Sequence, residues 1–313
     1  MEHFLLSVNA VVPMFLLMAA GMLAKKMHVL TKEDVPRFNR VAFQIFIPCL
    51  LFYNVYTSEL SAAVRPKLIL YAVCGVLLVF GAAILLVTHF VPHQDRRGVI
   101  AQGIFRSNYV LMGLPIAEVL VGSENLGPIS ILIAIIVPLF NLLAVVTLES
   151  FRGGRVKPGT VLLGIAKNPF VIGSVLGILS LLLKVRLPAL LEQCVHTLGS
   201  IGTPLQLFLL GAFFQFSGLS RYRRALTAVT LIKLVITPAV MLGTAAAIGF
   251  RGVEFVSLIG VFASPTAVNS FTMVQQMHCG DAELAGDIVV CTSAFSLFSF
   301  FVWIMVFKSL GVF

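Results

Sequence analysis

Pro48-Cys-Leu-Leu-Phe52 recurs, with the same first and last residues, as Pro204-Leu-Gln-Leu-Phe208, 156 residues further on. The same offset carries Pro13 onto Pro169 and Gly21 onto Gly177. A chain with 14 prolines produces a chance pair at some spacing. Four pairs that share one spacing, at matching places in successive apolar spans, mark two copies of one unit.

Composition says where such a unit can live. The chain is 59% hydrophobic and 11% charged, with a mean hydropathy of +1.02. A water-soluble domain cannot hide that much apolar surface, and lipid is the solvent that accepts it. The net charge of +9 sits in short loops beside apolar spans, as topology signals and anionic-lipid contacts do. No loop is long enough for a basic domain, so nucleic acid is excluded as a partner. Cys49, Cys74, Cys194, Cys279 and Cys291 form no C-x-x-C pair and no metal-ligand spacing. The six histidines, His3, His28, His89, His93, His196 and His278, lie near span ends without partners at metal spacing and read as interfacial packing. No cofactor or metal is expected.

Apolar runs of about twenty residues can be placed ten times. They lie near 4–24, 38–57, 68–90, 99–121, 128–149, 161–183, 191–216, 226–249, 254–277 and 285–307. The first is preceded by Glu2 and ends in Lys25-Lys26 without a small-residue cleavage pattern, so it reads as a span and not as a leader. A Gly/Pro-rich linker at 151–160 separates residues 1–150 from residues 161–313. Loops after odd-numbered spans hold most of the lysine and arginine: Lys25 to Arg40, Arg96-Arg97, Arg152 to Lys157, and Arg221 to Arg224. The positive-inside rule then puts both termini outside the cytoplasm of a cell membrane. Five spans per half is an odd number, so the second copy enters the membrane upside down. Inverted repeats of this kind are characteristic of secondary transporters.

Two spans at matching places in the repeat carry polar and helix-breaking residues at their middles. The fourth reads Phe105-Arg-Ser-Asn-Tyr-Val-Leu-Met-Gly-Leu-Pro-Ile-Ala-Glu118, and the ninth Phe262-Ala-Ser-Pro-Thr-Ala-Val-Asn-Ser-Phe-Thr272. Gly113 and Pro115 withdraw side-chain support and a backbone donor within one turn, predicting an interruption there. Ser264-Pro265 has the form of an N-cap followed by a first-turn proline. Irregular backbone at membrane depth must line a cavity or be buried in protein. Half-helix N-termini direct positive partial charge at such a gap. Asn108, Thr266, Asn269 and Ser270 add neutral hydrogen-bonding groups. A donor-rich gap with little fixed negative charge suits a carboxylate. The bland alternative is a pair of proline kinks that only shape packing.

Asn108-x4-Gly113-x-Pro115, the run Pro265-Thr-Ala-Val-Asn269-Ser and the paired Pro-x3-Phe segments resemble the auxin efflux carrier family, which includes plant PIN proteins and bacterial malonate and malate permeases. The resemblance spans the whole chain. It implies an elevator-type carrier of small organic anions, with spans 1, 2, 6 and 7 as scaffold and spans 3–5 and 8–10 as the moving transport unit. Spans 4 and 9 would cross at their breaks, and the scaffold helices are the expected face for a homodimer. The long cytoplasmic loop of many PIN proteins is missing, so regulation through it does not carry over.

Individual residues keep two readings at this point. Arg106, inside the fourth span, either meets an anionic solute, pairs with Glu118 or Asp287, or snorkels to the interface. Lys233 reads as a snorkeller. Glu118 is either a proton carrier or an interfacial acid. Asn141, beside Pro138, either faces the solute cavity or ties two helices together. The expected site is therefore Arg106, Asn108, Gly113, Pro115, Asn141, Pro265, Thr266, Asn269 and Ser270, with Glu118 as candidate proton carrier. A sodium-coupled carrier of the bile-acid symporter type is the rival transport reading, although the ninth span has no acid at its break. No nucleophile–base or metal constellation supports an intramembrane enzyme. A non-transporting sensor would bind without flux.

Overall fold

The computed structural model describes residues 2–31, 33–58, 65–122, 125–152 and 158–313, and every regular element among them is helical. The first half contains α1 (Glu2–Lys26), α2 (Asp34–Val41), α3 (Ile47–Tyr56), α4 (Pro66–Phe90), α5 (Gln94–Phe105), α6 (Leu114–Val121) and α7 (Gly127–Ser150). The second contains α8 (Pro158–Lys167), α9 (Pro169–Leu182), α10 (Ala189–Phe213), α11 (Phe216–Arg221), α12 (Arg223–Leu231), α13 (Thr237–Ile248), α14 (Gly252–Ala263), α15 (Asn269–Met277) and α16 (Ala282–Ser309). Among the described residues, the stretches Asp34–Tyr56, Pro66–Phe90, Gly127–Ser150, Arg223–Ile248 and Ala282–Ser309 are long and apolar enough to cross a membrane. Shorter apolar helices cover Tyr109–Val121, Pro169–Leu182 and Gly252–Ala263. Leu85, Phe90 and Leu190 are exposed on the outer surface, an arrangement that lipid tolerates and water does not. Of the expected linker, residues 153–157 lie outside the described residues, and helix resumes at Pro158, inside its expected bounds.

Proline shapes three of these helices in one way. A π-turn at Ala42–Phe46 ends two residues before Pro48, one at Tyr109–Gly113 two before Pro115, and one at Ile232–Ile236 two before Pro238. Proline lacks the N–H that would bond four residues back, and its ring crowds that carbonyl; widening one turn relieves both problems while the helix continues. The carbonyl four residues before Pro238 belongs to Leu234. It accepts instead from the Trp303 indole Nε1–H of α16, at 2.8 Å. Pro204, the repeat mate of Pro48, lies within the helix of α10 itself.

The repeat positions meet one another in space. A methyl group added to Gly21 of α1 would collide with the carbonyl of Phe208 in α10. One added to Gly177 of α9 would lie 2.9 Å from the carbonyl oxygen of Phe52 in α3. The 156-residue offset carries 21 onto 177 and 52 onto 208, so the two contacts are reciprocal under it. Glycine at these positions lets two backbones approach closely, the usual means of tight helix packing in lipid.

Candidate functional site

The interruptions in the fourth and ninth expected spans touch. α5 stops at Phe105, and Arg106 to Asn108 leave helical geometry before the π-turn at Tyr109. α14 stops at Ala263, and α15 begins only at Asn269. Between them Ser107 and Thr266 form an isolated antiparallel β-bridge. The Asn108 amide donates to the Pro265 carbonyl at 2.8 Å. The Thr266 amide donates to Thr292 Oγ1 of α16 at 3.2 Å, and the Thr266 hydroxyl donates to the Gly103 carbonyl at 2.8 Å. These bonds answer the demand that irregular backbone at membrane depth be satisfied by protein.

Local sequence explains one break and not the other. The residue before a proline is pushed away from helical backbone, and Ser264 has φ −63° and ψ 146°. Its hydroxyl donates back to the Gly260 carbonyl at 2.6 Å and so closes α14. The expected N-cap role for Ser264 is therefore overturned, because Pro265 to Val268 are spent on pairing and turning before helix resumes. In the fourth span the interruption also differs from expectation. It falls at Arg106–Asn108, ahead of Gly113 and Pro115, since the π-turn absorbs Pro115 without breaking the chain. Gly113 does other work there: a Cβ would sit 2.9 Å from the Cα of Gly260, so it permits a close crossing of α6 and α14.

A cavity of about 270 Å³ opens beside the paired breaks. That volume is at the small end for ligand sites. Arg106, Asn108, Pro115, Asn141 and Asn269 of the expected set line it; Gly113, Pro265, Thr266, Ser270 and Glu118 do not. Pro265 and Thr266 hold the pairing, and Ser270 is buried with its hydroxyl unpartnered. Glu118 is exposed on α6 and away from the cavity. Leu50 and Asn54 of α3 and Thr203 of α10 complete the opposite wall. No aspartate or glutamate lines the cavity among the described residues.

The hydrogen-bond inventory makes it a donor-rich place. The Nδ2 group of Asn108 is buried without a partner. Arg106 is 2% exposed, which removes the snorkelling reading. Neither Glu118 nor Asp287 pairs with it. Its guanidinium donates to Asn141 Oδ1 at 2.6 Å, to Gln102 Oε1 at 3.3 Å and to Met273 Sδ at 2.8 Å. Neutral partners orient the group and leave its charge uncancelled. Asn141 fills both roles foreseen for it, since its Nδ2 also donates to Ser174 Oγ of α9 at 3.3 Å.

Lys233 corrects the sequence reading most sharply. It is 1% exposed and its ammonium donates to Ser107 Oγ at 2.6 Å, directly behind the break. Snorkelling fails because Lys233 lies on the buried face of its helix, where its side chain reaches the break instead of the interface. Its position inside an apolar run was the available signal. Gln102 and Ser107 gave no signal in sequence, because only the folded chain brings them to the two cations.

The comparisons agree with this architecture. The family model described as membrane transport protein matches residues 6–304. A Rhizobium meliloti (strain 1021) protein named "Putative malonate transporter" is 24% identical over 289 residues, covering 90% of each chain. An "Uncharacterized transporter" of Methanothermobacter thermautotrophicus (strain Delta H) is 22% identical over 327 residues, covering 97% of this chain and 99% of its own. An all-helical chain with several membrane-length apolar helices, matched almost end to end by that model, is a multi-pass membrane transporter and not an enzyme, and it belongs to the membrane transport protein family of auxin efflux carriers.

Proposed function

We propose that this chain carries small organic anions, mono- or dicarboxylates of the size of malonate or malate, through the cavity beside the paired breaks. One observation carries the reading: a buried guanidinium, Arg106, and an unpartnered amide donor line a small cavity with no carboxylate in its lining among the described residues, and a second buried cation, Lys233, is bonded to Ser107 of that lining. Such a site is short of negative charge, and a carboxylate supplies it. The name carried by the Rhizobium meliloti relative points to the same class of solute.

In this reading the chain has ten spans in two inverted five-helix copies, 1–150 and 161–313, and the reciprocal packing of Gly21 on Phe208 and Gly177 on Phe52 supports that symmetry. The spans around α1, α3, α9 and α10 form the scaffold, and the units around α4 to α7 and α12 to α16 move against it. The cavity lies where these meet, since α3 and α10 supply one wall and the breaks supply the other. A solute gripped at the breaks would then move with them, by elevator-type alternating access. Both termini lie outside the cytoplasm in this reading, which the bias of loop arginines and lysines supports.

The test is counterflow. Purified protein in liposomes loaded with unlabelled malonate is presented with a panel of radiolabelled mono-, di- and tricarboxylates, with and without sodium. Accumulation of small carboxylates in either condition is expected. Accumulation of none of them, by protein that remains folded, overturns the proposal. Strict dependence on sodium moves the chain to the symporter reading.

A further inference from the structure

A second and larger opening, of about 710 Å³, lies between α4, α5 and α12 and shares no lining residue with the cavity at the breaks. Arg96, Arg221, Arg223 and Arg224 ring its mouth, and Val87, Ile100, Ile104, Ala228 and Ile232 line its depth. Two of the four arginines are occupied: Arg96 lies 3.8 Å from Asp281 and Arg221 lies 3.4 Å from Glu283. Tyr222, also at the mouth, spends its hydroxyl on Asp281 at 2.6 Å. Arg223 and Arg224 are exposed and have no acidic partner among the described residues.

We propose that this trough binds one anionic phospholipid of the surrounding bilayer, with its phosphate between Arg223 and Arg224 and an acyl chain along the apolar floor. Three features argue for that occupant. From Arg223 to Ile232 the floor follows nine residues of helix, roughly 14 Å at the α-helical rise. That matches one leaflet of a hydrocarbon core about 30 Å thick. The flank is apolar and open: Leu85 and Phe90 of α4 are each 71% exposed, so a chain can enter sideways from lipid. Charge sits only at the end where headgroups lie, and basic pockets at helix ends favour acidic lipids. A free phosphate leaves the apolar floor unused, and a neutral lipid leaves two arginines without a counter-charge. The floor ends at Ile104 and Ile232, which directly precede the segments bearing Arg106 and Lys233. A bound chain therefore reaches the last turn of α5, beside the break.

The experiment titrates the purified protein in neutral detergent with phosphatidylglycerol, phosphatidylcholine or inorganic phosphate. Binding is read by native mass spectrometry and by the shift in melting temperature. Phosphatidylglycerol is expected to bind at least tenfold more tightly than phosphatidylcholine. The double variant Arg223→Gln/Arg224→Gln should weaken phosphatidylglycerol binding about twenty-five-fold, roughly five-fold for each arginine at a membrane surface. Ala228→Trp, which fills the floor and keeps every charge, should weaken both lipids. Neither variant touches the solute cavity, so wild-type counterflow of a transported carboxylate, or an unchanged melting temperature without lipid, certifies the fold. Equal binding of the two lipids, an unaltered affinity in the double variant, or displacement of phosphatidylglycerol by inorganic phosphate at equal concentration overturns the proposal.

Discussion

Asn108→Ala is the sharpest probe of the solute cavity, because the structure separates its effect on binding from its effect on folding. The Asn108 Nδ2 group is buried and has no protein partner, so truncation breaks no internal hydrogen bond. Stability should change by no more than about 0.5 kcal/mol, as for a substitution away from packed or paired features. When a carboxylate binds, that amide makes a hydrogen bond to a charged acceptor, worth about 1.5–3 kcal/mol. Its loss should lower the transport ratio kcat/KM by roughly 10- to 150-fold, at 1.4 kcal/mol per tenfold. The fall should appear mainly in KM if the bond forms equally in the resting and moving complexes. The assay is malonate counterflow in proteoliposomes, with melting temperature as the folding control. Asn269→Ala, at the other break, should act in the same direction. A double Asn108→Ala/Asn269→Ala protein that melts normally and transports at the wild-type rate would refute the placement of solute at the paired breaks.

Other predictions test the surrounding architecture. Lys233→Met keeps the bulk of a 1% exposed side chain while deleting its charge and its bond to Ser107; replacing buried charge by apolar volume is often neutral or stabilising. Melting should hold steady while dicarboxylate flux falls more than monocarboxylate flux, and an equal loss of both would remove Lys233 from the anion's field. Gly177→Ala should cost about 1–3 kcal/mol through overpacking, and Gly21→Ala more, since its methyl meets the Phe208 carbonyl head-on; thermal melts giving the reverse order would contradict the reciprocal packing. Gln206→Leu removes a 2.8 Å bond from α10 to Thr272 of α15, about 1 kcal/mol of attachment between the proposed scaffold and moving unit. Labelling of a Thr203→Cys reporter from one side of the membrane should change roughly five-fold, and no change would mean that α15 does not slide past α10.

How far the sequence reached depended on whether the cause was local. The glycines that share the 156-residue offset are residues at which two pairs of helices approach closely. Ser264-Pro265 predicted the break in the ninth span correctly in place, because a proline constrains its predecessor regardless of context. It misled about the cap, because pairing with another part of the chain took over the residues that would have begun the helix. The break at Arg106–Asn108 had no local author: Pro115 drew attention downstream, and the non-helical segment exists only because Pro265 and Thr266 lie alongside. For Lys233, closeness to the loop suggests reach to the interface, and only the folded chain shows that its face of the helix is buried against the break. The partners of Arg106 were sought among acids, whereas folding supplied two amides and a thioether.

The rung between Ser107 and Thr266 has a bearing on how such a protein can change over generations. Its sealing bond, from the Asn108 amide to the Pro265 carbonyl, is made by main-chain atoms alone. Side chains beside it can be exchanged without unfastening that bond, so in the proposed reading recognition is free to drift while the pairing stays fixed. Descendants that share barely a quarter of their residues could then keep one working frame and still divide different solutes among themselves.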